Sequence, residues 1–194
     1  MGILEILKGE GTRSAQRIRH GGKRLADILA AHDRFVRGDS AGVRADLAGA
    51  DLSRAALPGA NLAYANLKGA NLQRANLRDA KLLSADLSDS RLRGADLRRA
   101  DLTETILQRA DLTEAQVGGA ELFRANMRGA VLRRADFGAA NFRNADVHGA
   151  DFVGANLKTA ILRETNLEGI DLSGADLSTT LLPPGYKAPS AAKG

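Results

Sequence analysis

The chain has 194 residues, a net charge of +5 and seven aromatic residues, none of them Trp. The absence of Cys excludes disulfides and thiolate metal sites. No apolar run approaches the roughly 18–20 residues that cross a bilayer, and a 44% hydrophobic share made mainly of Ala and Leu points to repetition rather than to a core of large anchors.

The first expected element is an N-terminal arm, residues 1–22, in which Ile3, Leu4, Ile6 and Leu7 form a small apolar ridge ahead of Arg13, Arg17 and Arg19. It lacks the basic region and following apolar stretch of a secretory signal. Ile6 stands where myristoylation needs Ser or Thr. The expected location is therefore the cytoplasm. A helical cap and connector follow over 23–44. In KRLADILAAHDRFVRG (23–38), Leu25, Ile28, Leu29, His32, Phe35 and Val36 recur at helical spacing, and Gly38 is the expected stop. His32 falls on the apolar side of that helix and is read as a structural histidine, not a ligand or a base.

Residues 45–182 are 28 consecutive pentapeptides without a slip. With the large apolar residue called position i, it is Leu in 22 of the 28, and Val117, Met127, Phe137, Phe142, Val147 and Phe152 otherwise. Position i−2 is Ala in 23, and i−1 is Asp or Asn in 19. A five-residue spacing drifts around a helix surface and is not the alternation of a plain strand. A closed solenoid accommodates it: each pentapeptide makes one side, i−2 and i point inward, and a turn leads to the next side. Spacing alone leaves the number of sides open. Four would give 20-residue coils, seven in all, in a rod roughly 34 Å tall at strand spacing. Ala at i−2 then leaves the room that Leu at i fills; Leu62, Leu67, Leu72, Phe137, Phe142 and Phe152 are expected core. Asp or Asn at i−1 is expected to brace the turn, and Gly, at ten of the i+2 positions, to ease it. The last element, 183–194, reads as a short cap and a flexible tail.

The run ADLSRAALPGANLAYANLKGANL resembles the pentapeptide-repeat family, whose pattern is A(D/N)LXX. The resemblance implies a right-handed quadrilateral β-helix, and so an all-β solenoid of about seven coils with an N-terminal α-helical cap. LAAHDRFVRGDSAGVRADL is also similar to leaders that precede such domains, which agrees with the cap.

Asp46, Asp86 and Asp146 share one face and Asp96, Asp136 and Asp176 another, but Asn replaces Asp too freely at i−1 for charge-dependent chemistry. No phosphate loop, H-E-x-x-H pair or nucleophile elbow occurs. The expectation is a protein without catalytic site, metal or cofactor, whose function lies on its outward positions. Arg54, Arg74, Arg91, Arg93, Arg133 and Arg134 gather on one face, with Arg78, Arg98 and Arg99 on the next. This basic band is interrupted by Asp51, Asp79, Asp96, Asp111 and Glu114, and is not interleaved with aromatics. The solenoid as a whole has a net charge of −1 against +4 for residues 1–44. Nucleic acid is therefore not the expected partner. Tyr64, Leu83, Phe123 and Ile161, with Leu181, form an outward apolar set, the candidate partner surface. The expected function is a protein-binding or scaffold rod with an unidentified protein partner, and self-association through an end or a side is open to it.

Two alternatives follow. Some family members of the fluoroquinolone-resistance type resemble DNA and bind DNA gyrase, but those rods are strongly acidic and dimerise through a C-terminal helix, which this sequence does not match. The other is binding of nucleic acid or an anionic surface through the basic arm and arginine band.

Overall fold

Residues 12–186 are described by the structure, a computed structural model of the chain. They form a right-handed quadrilateral β-helix. Parallel bridges join each i−1 residue to the one 20 positions on, from Asp46–Asn66 to Ile161–Leu181, lapsing only between Asp146 and Asn166. Each coil thus has 20 residues and four faces. We number the faces one to four by their first inward residues: Leu47, Leu52, Leu57 and Leu62.

In a complete repeat, such as that of Leu67, every N–H has a partner, which explains why the period is five. Around Leu67, the Asn66 N–H donates to the Ala45 carbonyl in the coil below at 3.0 Å. The N–H groups of Leu67 and Gly69 donate to Asp86 and Ser88 in the coil above, and that of Ala70 closes a turn on Leu67. The remaining N–H, of Lys68, donates to Asn66 Oδ1 at 3.2 Å. Buried backbone groups must be paired, and a short side-chain acceptor at i−1 completes the set. All 19 Asp and Asn residues at i−1 accept the N–H two residues on.

The interior consists of stacked Ala and Leu. Leu62, Leu67, Leu72, Phe137, Phe142 and Phe152 are fully buried. Where Ala gives way to a hydroxyl residue, the hydroxyl finds a carbonyl: Thr105 Oγ1 donates to Leu82 at 2.9 Å, Thr165 Oγ1 to Phe142 at 2.7 Å and Ser90 Oγ to Leu87 at 2.6 Å. These inward polar atoms are thereby satisfied.

The turns differ from expectation. Each i+2 residue from Gly49 to Thr179 has positive φ, and 17 of them are not glycine. Positive φ at the third residue of a turn closed by an i→i+3 hydrogen bond is the type II signature. Side chains there cost roughly 1–2 kcal/mol each, so the ladder overrides local preference at Arg54 (φ 55°) and even at β-branched Thr159 (φ 58°).

The lower end is covered by more chain than the helix alone. Strand β1 (Arg13–Ser14) pairs in parallel with β4 (Ala55–Ala56), so it stands where a coil below the first would run. Strands β2 (Arg19–His20) and β3 (Lys23–Arg24) form an antiparallel hairpin turning at Gly21 and Gly22. Ala15 and Ile18 are buried in the core. Residues 12–22, grouped by sequence with the arm, are therefore an added partial coil. Ile3, Leu4, Ile6 and Leu7, and the tail beyond Tyr186, lie outside the described residues.

Helix α1 (Leu25–Val36) follows. It starts two residues after the expected position because β3 takes Lys23 and Arg24. It ends at Gly38 (φ 77°) in a Schellman motif. There the Asp39 N–H donates to Arg34 and the Gly38 N–H to Phe35. Leu25 and His32 are buried, Ile28 and Leu29 half-buried, and Phe35 is exposed, stacked on His32 at 5.8 Å.

His32 Nδ1 accepts the Ala45 N–H at 3.0 Å, fastening the helix to the first repeat. That bond needs the neutral ring with its proton on Nε2, which has no hydrogen-bond partner among the described residues. Burial pushes the His32 pKa below its ordinary value, the Ala63 carbonyl opposes this, and the Arg44 charge adds to the lowering. With the folded pKa below the unfolded one of about 6.5, the unfolded chain binds the extra proton. Stability from His32 is thus complete above about pH 6.5 and declines as pH falls towards the folded value. We expect amides of α1 and the connector to exchange faster at pH 5 than at pH 7.5, after correction for intrinsic rates. A His32→Gln variant should lose that extra pH dependence; an unchanged slope would show that His32 does not control the cap.

Candidate functional site

The outward side chains stand in vertical columns spaced by one coil, about 4.8 Å. Ion pairs therefore form between residues 20 apart. At the corners, where the i+2 residues stack, Arg99 lies over Asp79 at 2.7 Å, Arg109 over Asp89 at 2.7 Å, Arg134 over Glu114 at 2.8 Å and Arg124 over Glu104 at 3.8 Å. The hydrogen bond from Arg99 holds the Asp79 carboxyl below its ordinary range, and that from Arg109 does the same for Asp89. Partial burial pushes Asp96 upward, but the hydrogen bonds from Arg98 outweigh it and hold that carboxyl low.

These pairs redraw the basic band expected around the middle coils. Of its nine arginines, Arg78, Arg93, Arg98, Arg99, Arg133 and Arg134 have acidic partners. The middle of the rod is a charge-paired surface. Arg54, Arg74 and Arg91, all in the first three coils of face two, are left without an ion pair among the described residues. Sorting arginines by face hides this pairing; the same sequence compared at an offset of 20 shows an acid before four of the six corner arginines.

Face four carries the apolar set. Tyr64 and Leu181 are 44% and 42% exposed, at opposite ends of the rod. Leu83, Phe123 and Ile161 lie between them, half-buried along the same face. Arg124 places its guanidinium 4.9 Å from the Phe123 ring centroid, a cation–π contact. Beside Phe123, burial raises the Glu121 pKa, against the opposing hydrogen bond from Asn141. The remaining exposed large apolar side chains among the described residues, Phe35, Val43 and Ile106, are off this face.

The acidic residues considered for chemistry are accounted for by the turns. Asp46, Asp86, Asp96, Asp136, Asp146 and Asp176 each accept the N–H two residues on. Among the described residues no group of three or more His, Cys, Asp or Glu side chains could hold a metal ion, and no helix is long and apolar enough to cross a membrane.

A profile of pentapeptide repeats matches eight copies, over residues 43–79, 80–117, 120–158 and 140–179. The chain belongs to the pentapeptide-repeat family. No curated protein matches the sequence significantly. Among solved structures, the chain is similar to a trypsin-treated variant of QnrB1, a plasmid-mediated fluoroquinolone resistance protein. The identity is 26% over 73% of this chain and 71% of that one, with a TM-score of 0.44. It is also similar to HetL of the cyanobacterium Nostoc, a pentapeptide-repeat protein involved in heterocyst differentiation regulation. That identity is 30% over 79% of this chain and 98% of that one, with a TM-score of 0.28. A pentapeptide-repeat protein from the Arabidopsis thaliana thylakoid lumen shares 31% identity over 64% of this chain and 69% of that one, with a TM-score of 0.22.

Proposed function

We propose that this protein is a non-enzymatic binding rod and that face four is its partner surface. The observation that carries this reading is the alignment of Tyr64, Leu83, Phe123, Ile161 and Leu181 on one side of a stiff solenoid. From the first coil to the seventh they span about 29 Å at strand spacing. Each backbone is already fixed by the ladder, so binding costs little ordering entropy. Apolar side chains set among charged ones on a single face are the composition of a protein interface with a polar surround. The DNA-gyrase alternative draws no support from these faces, because a DNA mimic needs a sustained negative field and here arginines neutralise the acidic columns.

The test is affinity capture from the native host with the full chain as bait, repeated with Tyr64→Ser, Leu83→Ser and Phe123→Ser combined. A partner recovered by the native rod should fall at least about tenfold with the variant, given that aromatic anchors carry much of an interface's energy, while the melting profile stays cooperative. Equal recovery by both proteins would remove face four as the partner surface.

A further inference from the structure

Four of the six corner arginines follow a rule that the other two break. Arg99, Arg109, Arg124 and Arg134 each have an acidic side chain one coil below. Arg74 instead has Arg54 below it, and what lies below Arg54 is the backbone of Arg13, whose N–H donates to the Arg54 carbonyl at 2.7 Å. Both arginines sit at left-handed φ of 55°, where Gly serves at ten other corners. Their like charges are stacked one coil apart, and neither guanidinium has a hydrogen-bond or ion-pair partner among the described residues.

The surroundings supply donors and no free acid. A shallow groove is lined by Arg13, Ser53, Arg54, Asn71, Gln73 and Arg74. No acid lines it, and Asp51, which bonds three of the lining residues, is already engaged by Arg13 Nη1 at 2.7 Å, Asn71 Nδ2 at 3.1 Å and the Ser53 N–H at 3.2 Å. Arg91 stands one coil above Asn71, again without an ion pair. Above Arg74 the corner residue is Gly94, where a Cβ would lie 3.6 Å from Arg74 Cγ. Glu114, one coil higher, is taken by Arg93 at 3.5 Å and Arg134 at 2.8 Å.

We propose that this groove on face two is a binding site for a compact phosphate-type oxyanion, a phosphate monoester or a diphosphate, gripped between Arg54 and Arg74. Guanidinium groups present forked donors matched to phosphate oxygens, and two of them one coil apart can bracket one tetrahedral group. The column stops after two arginines, at Gly94 and then Glu114, so it does not offer the repeated charges that follow a nucleic-acid backbone.

The experiment is a titration of the full-length protein with inorganic diphosphate at constant low ionic strength, followed by amide chemical shifts. Saturable shifts confined to the first three coils are expected. Arg54→Asp places an acid beneath Arg74, as at the other four corners; it should weaken binding more than about tenfold and raise Tm. Arg54→Gly should weaken binding while also relieving the turn, whereas Arg99→Gly should leave affinity unchanged. Phenyl phosphate distinguishes the sources: binding comparable to diphosphate points to a phosphorylated side chain, and diphosphate binding alone to a free phosphate compound. Absence of saturable binding, native affinity in Arg54→Asp, or tighter binding of an oligonucleotide than of diphosphate would each overturn the proposal.

Discussion

Replacing Phe142 by Ala is expected to destabilise the rod by about 3–5 kcal/mol, with the loss concentrated in the upper coils. Phe142 is fully buried, and its ring centroid lies 5.0 Å from that of Phe137 and 6.0 Å from that of Phe152. Phe137, Phe142, Val147 and Phe152 are consecutive inward residues, one full circuit of the rod. The circuit below, Val117, Leu122, Met127 and Leu132, is complementary: small Val117 lies beneath Phe137, and longer Met127 beneath Val147. Such matching keeps interior density near that of a crystal. A cavity here cannot close easily, because the coil spacing is fixed by hydrogen bonds above and below, including those from the Phe142 and Leu122 N–H groups, each at 2.8 Å. Stability in a solenoid is close to a sum over repeats and their interfaces. Hydrogen exchange should therefore accelerate from about residue 140 upward and change little in the first coils. Phe142→Leu restores the commonest residue of the position and should cost less than about 1.5 kcal/mol. Uniform loss of protection along the whole rod would show that the coils unfold as one unit.

The period is legible because each repeat solves the same problem with the same letters. Inward Ala and Leu and the Asp or Asn at i−1 each perform a single physical task, so their recurrence reads directly as geometry. The corners are less legible. Ten glycines point to positive φ, but Arg54, Tyr64 and Thr159 adopt it as well, since the ladder imposes the turn on whatever residue stands there. The partial coil before α1 is hidden for a different reason. Arg13, Ala15 and Ile18 carry no repeat signature, and their placement follows from pairing with Ala55 and Ala56, about 40 residues away in a partner strand. The candidate surfaces fall between these cases. Tyr64, Leu83 and Phe123 can be assigned to one face by counting alone. Separating the paired arginines from Arg54, Arg74 and Arg91 requires knowing which acids each one reaches.

The second large effect is expected at a glycine whose role is steric rather than conformational. Gly42 does not have positive φ. A Cβ on it would lie 2.1 Å from the Phe35 nitrogen, 2.4 Å from Phe35 Cα and 2.6 Å from the Arg34 carbonyl carbon. These are backbone atoms of α1, so no rotamer change relieves the overlap. Gly42→Ala must push the connector away from the helix. That movement strains the Val43 N–H bond to the Ala31 carbonyl and the Ala45 N–H bond to His32 Nδ1, each at 3.0 Å. We expect a loss of about 3 kcal/mol, the upper end of ordinary overpacking costs, confined to the cap. Faster amide exchange across 25–45 should accompany unchanged protection in the middle coils. His32 would then be released to solvent, so the variant should also lose the decline in cap stability between pH 7.5 and 5. A Gly42→Ala protein with native exchange in α1 would overturn the steric role of Gly42. Its cap would then rest on the contacts of Leu25, Ile28 and Leu29 with the first coil.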